Sequence, residues 1–251
     1  MARFIGGNGD DTYFGGLDRD VLYGNGGRDW LTGGMNDDYL NGGGGNDDLN
    51  GDEGFDRINA GAGDDVVVDS VGGADVSCGA GNDWGSIATG TLRGDRGNDN
   101  LSAANGRIEG GPGDDQLGGW CETLDGSGTV GWLQLAGGRG ADLFFMGGTN
   151  NGVQDWSDIY DFRPWEGDLI DMRAVMPDGN PEPALETARR HDSNMNGFLD
   201  DGDQAVAFSE GLLWIDVGTG PQGGDGNPFT SDGDYLVVHG HQALDLAWFA
   251  A

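Results

Sequence analysis

From Gly6 onward the chain falls into consecutive blocks of nine: GGNGDDTYF (6–14), GGLDRDVLY (15–23), GNGGRDWLT (24–32), GGMNDDYLN (33–41), GGGGNDDLN (42–50), GDEGFDRIN (51–59) and AGAGDDVVV (60–68). The eighth position is apolar in each, as Tyr13, Leu22, Leu31, Leu40, Leu49, Ile58 and Val67. The sixth is always aspartate, as Asp11, Asp20, Asp29, Asp38, Asp47, Asp56 and Asp65. Glycine loses more backbone freedom on ordering than any other residue, and one apolar side chain per block offers little burial in return. A single block would therefore stay unfolded. A flexible linker has no reason to keep an acidic and an apolar column in phase. A stack of repeats does, because each unit buries its apolar residue only against its neighbours. The pattern predicts stacked units with the eighth residues as their common core.

The nonapeptide resembles that of the RTX (repeats-in-toxin) calcium-binding family. The resemblance implies an all-β, right-handed parallel β-roll. Each six-residue loop would turn a corner, each short strand would point its eighth residue inward, and two blocks would make one coil. It also implies Ca²⁺ ions between stacked loops, held by sixth-position carboxylates and loop carbonyls. The chemistry agrees. Glycines let carbonyls converge in conformations other residues resist, and hard Ca²⁺ takes six to eight oxygen ligands. Aspartates stacked about 4.8 Å apart would repel one another without a cation.

The register then changes. Block 69–77, DSVGGADVS, has Ala74 at the ligand position, and block 78–86, CGAGNDWGS, restores Asp83. The next loops, GDRGNDNLS (94–102) and GGPGDDQLG (110–118), carry Asp99 and Asp115 sixteen residues apart, separated by short links with a Gly turn and no Asp. One edge is thus expected to carry Asp11, Asp29, Asp47, Asp65, Asp83, Asp99 and Asp115, and the other only Asp20, Asp38 and Asp56. If each ion needs two neighbouring loops, about six sites fall on the first edge and about two on the second. Block 126–134, GSGTVGWLQ, keeps Leu133 in the apolar column but has Gly131 in place of the Asp; GGRGADLFF (137–145), with Asp142 and Phe144, is the last recognisable block. The roll is therefore expected to span 1–145. Cys78 and Cys121 fall on different edges and coils, beyond the roughly 7 Å reach of a disulfide, so both should be free thiols.

Residues 146–251 should form a β-rich cap. The segment DWSDIYDFRPWEGDLIDM (155–172) resembles the one that follows the roll in serralysin-type and other type I secreted proteins. NPEPALETARR (180–190) reads as a short helix running into an EF-hand-like loop at 192–203. There Asp192, Asn194, Asn196 and Gly197 match loop positions one, three, five and six, and Phe198 would offer its carbonyl at seven. Asp203 stands where the pattern has Glu, which weakens the site. The closing DGDYLVVHGHQALDLAWFAA resembles the end of RTX exports, which implies an uncleaved signal for the type I secretion machinery and an extracellular location. The start, MARFIG, has no apolar run of the kind a cleaved signal requires.

Composition narrows the partners. With 44 acidic against 12 basic residues and a net charge of −32, nucleic acid and anionic membranes are disfavoured and divalent cations are suited. No run approaches the roughly 18 apolar residues of a membrane span, so membrane insertion is not expected. The only histidines are His191, His239 and His241, without an H-E-x-x-H zinc motif. No G-x-S-x-G elbow is present. The sequence reads as a non-catalytic protein that folds on binding several Ca²⁺ ions. Two alternatives stay open: the C-terminal RTX module of a larger secreted enzyme (protease, lipase or mannuronan epimerase), or a surface-layer or adhesion component. Met1–Ile5 is too short to cap the first coil, so that open sheet end invites self-association.

Overall fold

In the computed structural model of the chain, the residues described are 1–119, 131–147, 155–173, 198–199, 206–209, 212–216, 235–241 and 243–248. They are all-β apart from a 3-10 turn at Leu246–Trp248. Each early strand pairs in parallel with the next but one. Arg3–Ile5 lies on Val21–Gly26, which lies on Tyr39–Gly44, while Thr12–Gly16 lies on Trp30–Met35. The chain therefore winds as a parallel β-solenoid with one turn per two nonapeptides. Register places eighth position over eighth. On one face Tyr13 lies over Leu31, Leu31 over Leu49 and Leu49 over Val67; on the other Phe4 lies over Leu22, Leu22 over Leu40 and Leu40 over Ile58.

Because successive strand residues point to opposite sides, the seventh and ninth positions face out and the eighth faces in. Leu22, Leu31, Leu40, Val67, Val76, Leu92, Leu101, Ile108 and Leu117 are fully buried. Each such side chain contributes roughly 1.5–3 kcal/mol relative to exposure. These inward rows belong to one continuous apolar core.

The corners explain the second position of the repeat. Asn25, Gly34, Gly43, Asp52, Gly61 and Asp95 all have left-handed φ there, a region Gly enters freely and Asn or Asp tolerate. At Gly43, with φ of 111°, a Cβ would also lie 2.2 Å from the Asn25 carbonyl oxygen in the coil below.

Past Asp83 the coil shortens from 18 to 16 residues, with tight turns at Gly90 and Gly106 closing the second edge. The parallel ladder continues beyond residue 145. Asp155–Ile159 pairs with Gly131–Arg139, Leu169–Arg173 with Leu143–Gly147, and Tyr235–His239 with Asp155–Ile159. Leu133 is buried, but it lies opposite Gly106, and it is Leu135 that stacks on Ile108. The expected position of Leu133 in the column is thus corrected by two residues. The coil from Asp115 to Asp142 spans 27 residues, so the nine-residue phase no longer sets register there. Antiparallel strands then end the stack. Leu212–Asp216 pairs with Tyr235–His239 and with Val206–Ser209, and Phe198–Leu199 pairs with Leu244–Asp245. The helix expected at 180–190 lies outside the described residues.

Candidate metal centre

The corners stack the sixth-position aspartates into two files. On the first edge the amide N–H of Asp11 donates to Oδ1 of Asp29 at 2.8 Å, that of Asp29 to Asp47 at 2.8 Å, and that of Asp47 to Asp65 at 2.8 Å. The relay continues through Asp83 (2.8 Å), Asp99 (2.8 Å) and Asp115 (2.9 Å). It then goes beyond the expected set, to Asp142 (2.9 Å) and Asp168 (3.0 Å). On the second edge the Ala2 N–H donates to Asp20 Oδ1, the Asp20 N–H to Asp38 at 2.6 Å, and the Asp38 N–H to Asp56 at 2.7 Å.

Each relay bond uses one carboxylate oxygen. Within the files the other oxygen, Oδ2, is buried without a hydrogen-bond partner in Asp29, Asp38, Asp47, Asp56, Asp65, Asp83, Asp99, Asp115 and Asp142. The ends differ. Asp11 Oδ2 accepts from the Gly7 N–H at 2.6 Å, Asp20 Oδ2 from Gly16 at 3.1 Å, and Asp168 Oδ2 from Arg163 at 2.7 Å.

The orphaned oxygens are not alone. A Cβ on Gly24 would lie 2.1 Å from Asp29 Oδ2 and 2.6 Å from the Gly42 carbonyl oxygen; one on Gly42 would lie 2.3 Å from Asp47 Oδ2 and 2.6 Å from the Ala60 carbonyl oxygen. These two loops thus bring a free carboxylate oxygen and a carbonyl of the next coil together beside their first residue. Ala60 and Cys78 hold that first position beside Asp65 and Asp83, and both are fully buried. An all-oxygen donor set of this kind suits a hard cation such as Ca²⁺.

Electrostatics point the same way. Burial is the main cause that pushes Asp38, Asp47, Asp83 and Asp99 up to about 6 and Asp65, Asp115 and Asp142 up to about 7, against the opposing pull of the relay amides. Asp29, Asp56 and Asp168 are raised by burial too. Buried carboxylates without partners favour a proton or a cation.

A second ladder runs beside the first edge. Side-chain oxygens of Asp10, Asn46, Asp64, Asn82, Asn98 and Asp114 accept the amide N–H of Arg28, Asp64, Asn82, Asn98, Asp114 and Ala141 respectively. Sequence reasoning missed this role, although Asp or Asn recurs at the fifth position. It also left Asp142 and Asp168 out of the acidic file.

At the far end of the first edge the protein supplies its own donors. Asp161 accepts from the amides of Gly137 (2.9 Å) and Gly138 (3.0 Å). The Arg163 guanidinium donates to the Gly138 carbonyl and lies 3.7 Å from Asp161 and 3.8 Å from Glu166.

Of the remaining expected site residues, Asp192, Asn194, Asn196 and Asp203 lie outside the described residues. Phe198 is described only as backbone in its short strand. Cys78 is a free, buried thiol, pushed well above its ordinary pKa by burial and then by the charge of Asp83; Cys121 lies outside the described residues. His239 stacks on Tyr160 at 4.2 Å, whereas His241 Nε2 is 3.0 Å from the Phe162 carbonyl oxygen. Among the described residues no group of three or more His, Cys, Asp or Glu side chains has the arrangement of a side-chain-only metal site.

Compared with protein-family models, residues 5–40, 41–68 and 84–117 match the RTX calcium-binding nonapeptide repeat (4 copies). No curated protein matches the chain.

Proposed function

The chain carries RTX calcium-binding nonapeptide repeats, and from that premise we propose that it is a secreted, non-catalytic protein that folds around several Ca²⁺ ions after type I export. The ligands on the first edge are Asp11, Asp29, Asp47, Asp65, Asp83, Asp99 and Asp115, and on the second Asp20, Asp38 and Asp56, each working with loop carbonyls. The observation that carries this reading is the row of buried, unpartnered Oδ2 atoms. Leaving one buried charged oxygen unsatisfied costs several kcal/mol, and nine in two files is untenable without compensation. Bound calcium supplies that compensating positive charge.

Where calcium is scarce, the files repel and the glycine-rich loops keep their chain entropy. The polypeptide then stays loose enough for export. Outside, filling about eight sites adds roughly +16 of charge, and the inward leucine rows close. A ligand bound only by the folded form stabilises it by mass action, and many sites make the transition steep. Calorimetric titration with Ca²⁺ and Mg²⁺, read beside far-UV circular dichroism, tests this. Strand signal should appear with calcium uptake and vanish in EDTA. Identical spectra in both, with no ion retained, would refute it.

A second reading, self-association through the first coil, is favoured by exposed apolar side chains there. Ile5 and Phe14 are both more than half exposed, beside the stacked rings of Phe4 and Tyr13. Calcium-dependent oligomers in light scattering that Ile5→Lys removes would support it.

A further inference from the structure

The second edge loses its sixth-position aspartate after Asp56, since the residue in register with Asp56 one coil on is Ala74. Asp56 would then face a loop without a carboxylate. The same loop begins with Asp69, at the position held by glycine in most repeats.

In the preceding loops of this edge, the oxygen that meets the sixth-position carboxylate is a main-chain carbonyl from the first position of the next coil. A Cβ on Gly33 would lie 2.4 Å from Asp38 Oδ2 and 2.8 Å from the Gly51 carbonyl oxygen. At Gly51 the second oxygen is a side-chain one. A Cβ there would lie 2.4 Å from Asp56 Oδ2 and 2.4 Å from Asp69 Oδ2. Two carboxylates thus converge where other loops bring one carboxylate and one carbonyl.

Both residues are fully buried, at 0 % exposure. With both carboxyls ionised, Asp56 Oδ2 and both oxygens of Asp69 lack a well-formed hydrogen bond, although the Val71 amide lies near Asp69 and the two acids face each other. Among the described residues, no arginine forms an ion pair with either. Asp52, in the same loop as Asp56, adds its charge to both. Two buried acids at contact range are strongly unfavourable unless they share a proton or a cation lies between them, and oxygen donors alone suit a hard divalent ion in that place.

We propose that Asp56 and Asp69 form a third divalent-cation site on the second edge, in which the Asp69 side chain replaces the carboxylate lost at Ala74. The site closes that file one loop beyond the last nonapeptide aspartate. It rests on the calcium reading above, but a variant confined to residue 69 tests it separately.

Native mass spectrometry of the full chain in calcium counts the ions directly. Asp69→Leu, which keeps the branching of the side chain but has no ligand oxygen, should hold one ion fewer than the wild type, with the same strand signal by circular dichroism. Asp69→Leu combined with Ala74→Asp, which restores the sixth-position carboxylate, should recover the full count. That double variant also serves if the single one does not fold in calcium, because regained folding and count would again tie residue 69 to the ion. An unchanged ion count in folded Asp69→Leu would overturn the site and leave the calcium reading standing. A wild type that holds no ion would overturn both.

Discussion

The repeat loops and the loop that ends the first file use the same aspartate in opposite ways. Asp47 has one oxygen in the amide relay and the other buried with no partner. Asp168 has the same relay bond, from the Asp142 N–H, but its second oxygen accepts from the Arg163 amide. The neighbouring loop is tied down by Asp161 and by the Arg163 guanidinium. The repeats leave that second oxygen without a donor from the protein, whereas the terminal loop supplies one. An identical side chain at an equivalent register thus has an open or a filled second oxygen according to which donors its own loop supplies.

The largest expected break in this comparison comes from Asp47→Ala. It removes a carboxylate that faces two stacked positions, so the calcium needed for half-folding should rise by roughly tenfold or more, about 1.4 kcal/mol per decade for each ion taken up on folding. In EDTA the same change should not destabilise the chain, because it relieves repulsion. A calcium titration by circular dichroism that matches the wild type would remove Asp47 from the ligand set.

Next in size is the response to pH. The raised carboxylates bind protons more tightly folded than unfolded, so without calcium their contribution to stability is fully present below about pH 4. It is lost as pH rises through about 6 for Asp38, Asp47, Asp83 and Asp99, and about 7 for Asp65, Asp115 and Asp142. The metal-free chain should therefore gain strand content on acidification from pH 8 to pH 5. Calcium binding should weaken over the same interval and should release protons near neutral pH. A calcium affinity independent of pH between 5 and 8 would contradict these values.

The apolar column sharpens the comparison because both regions share it. Leu40 in the repeats and Ile170 beside the terminal loop are each fully buried. Leu40→Ala and Ile170→Ala should each cost about 2–5 kcal/mol in saturating calcium, measured by denaturant unfolding. The smallest effect is expected for Asp168→Asn. Asn has one acceptor oxygen, so the variant keeps one of the two N–H bonds and sets its NH₂ against the other donor, costing about 1–3 kcal/mol, and should leave the ion count as it was. Loss of an ion from this variant would mean that the terminal loop also depends on calcium.

Much of the fold was legible before any coordinates. Residues 6–68 show a nine-residue period, and one stereochemical unit repeats with it. From the third block on, the second position enters left-handed φ, and it is Gly, Asn or Asp. The eighth faces in, so it is apolar, and the sixth stacks on its counterpart two blocks on. The division of Asp11 through Asp115 from Asp20, Asp38 and Asp56 followed from counting in eighteens and sixteens, and the amide relays run along those same lines. Local geometry and constant spacing are properties a sequence carries directly.

Tertiary pairing decided the rest. Coils of 27 and 26 residues put Asp142 and Asp168 at the end of the first file and brought Leu135 rather than Leu133 over Ile108. Nothing in their local spacing could show that, because register across an irregular coil is fixed by which strand it lands on. Asp69 is the sharpest case. In the sequence it is a misplaced acid in a broken block, and only the stacking of one loop on another turns its carboxylate toward Asp56. A residue's position in the repeat came from the order of the chain, but the atoms it faces came from the coil above it.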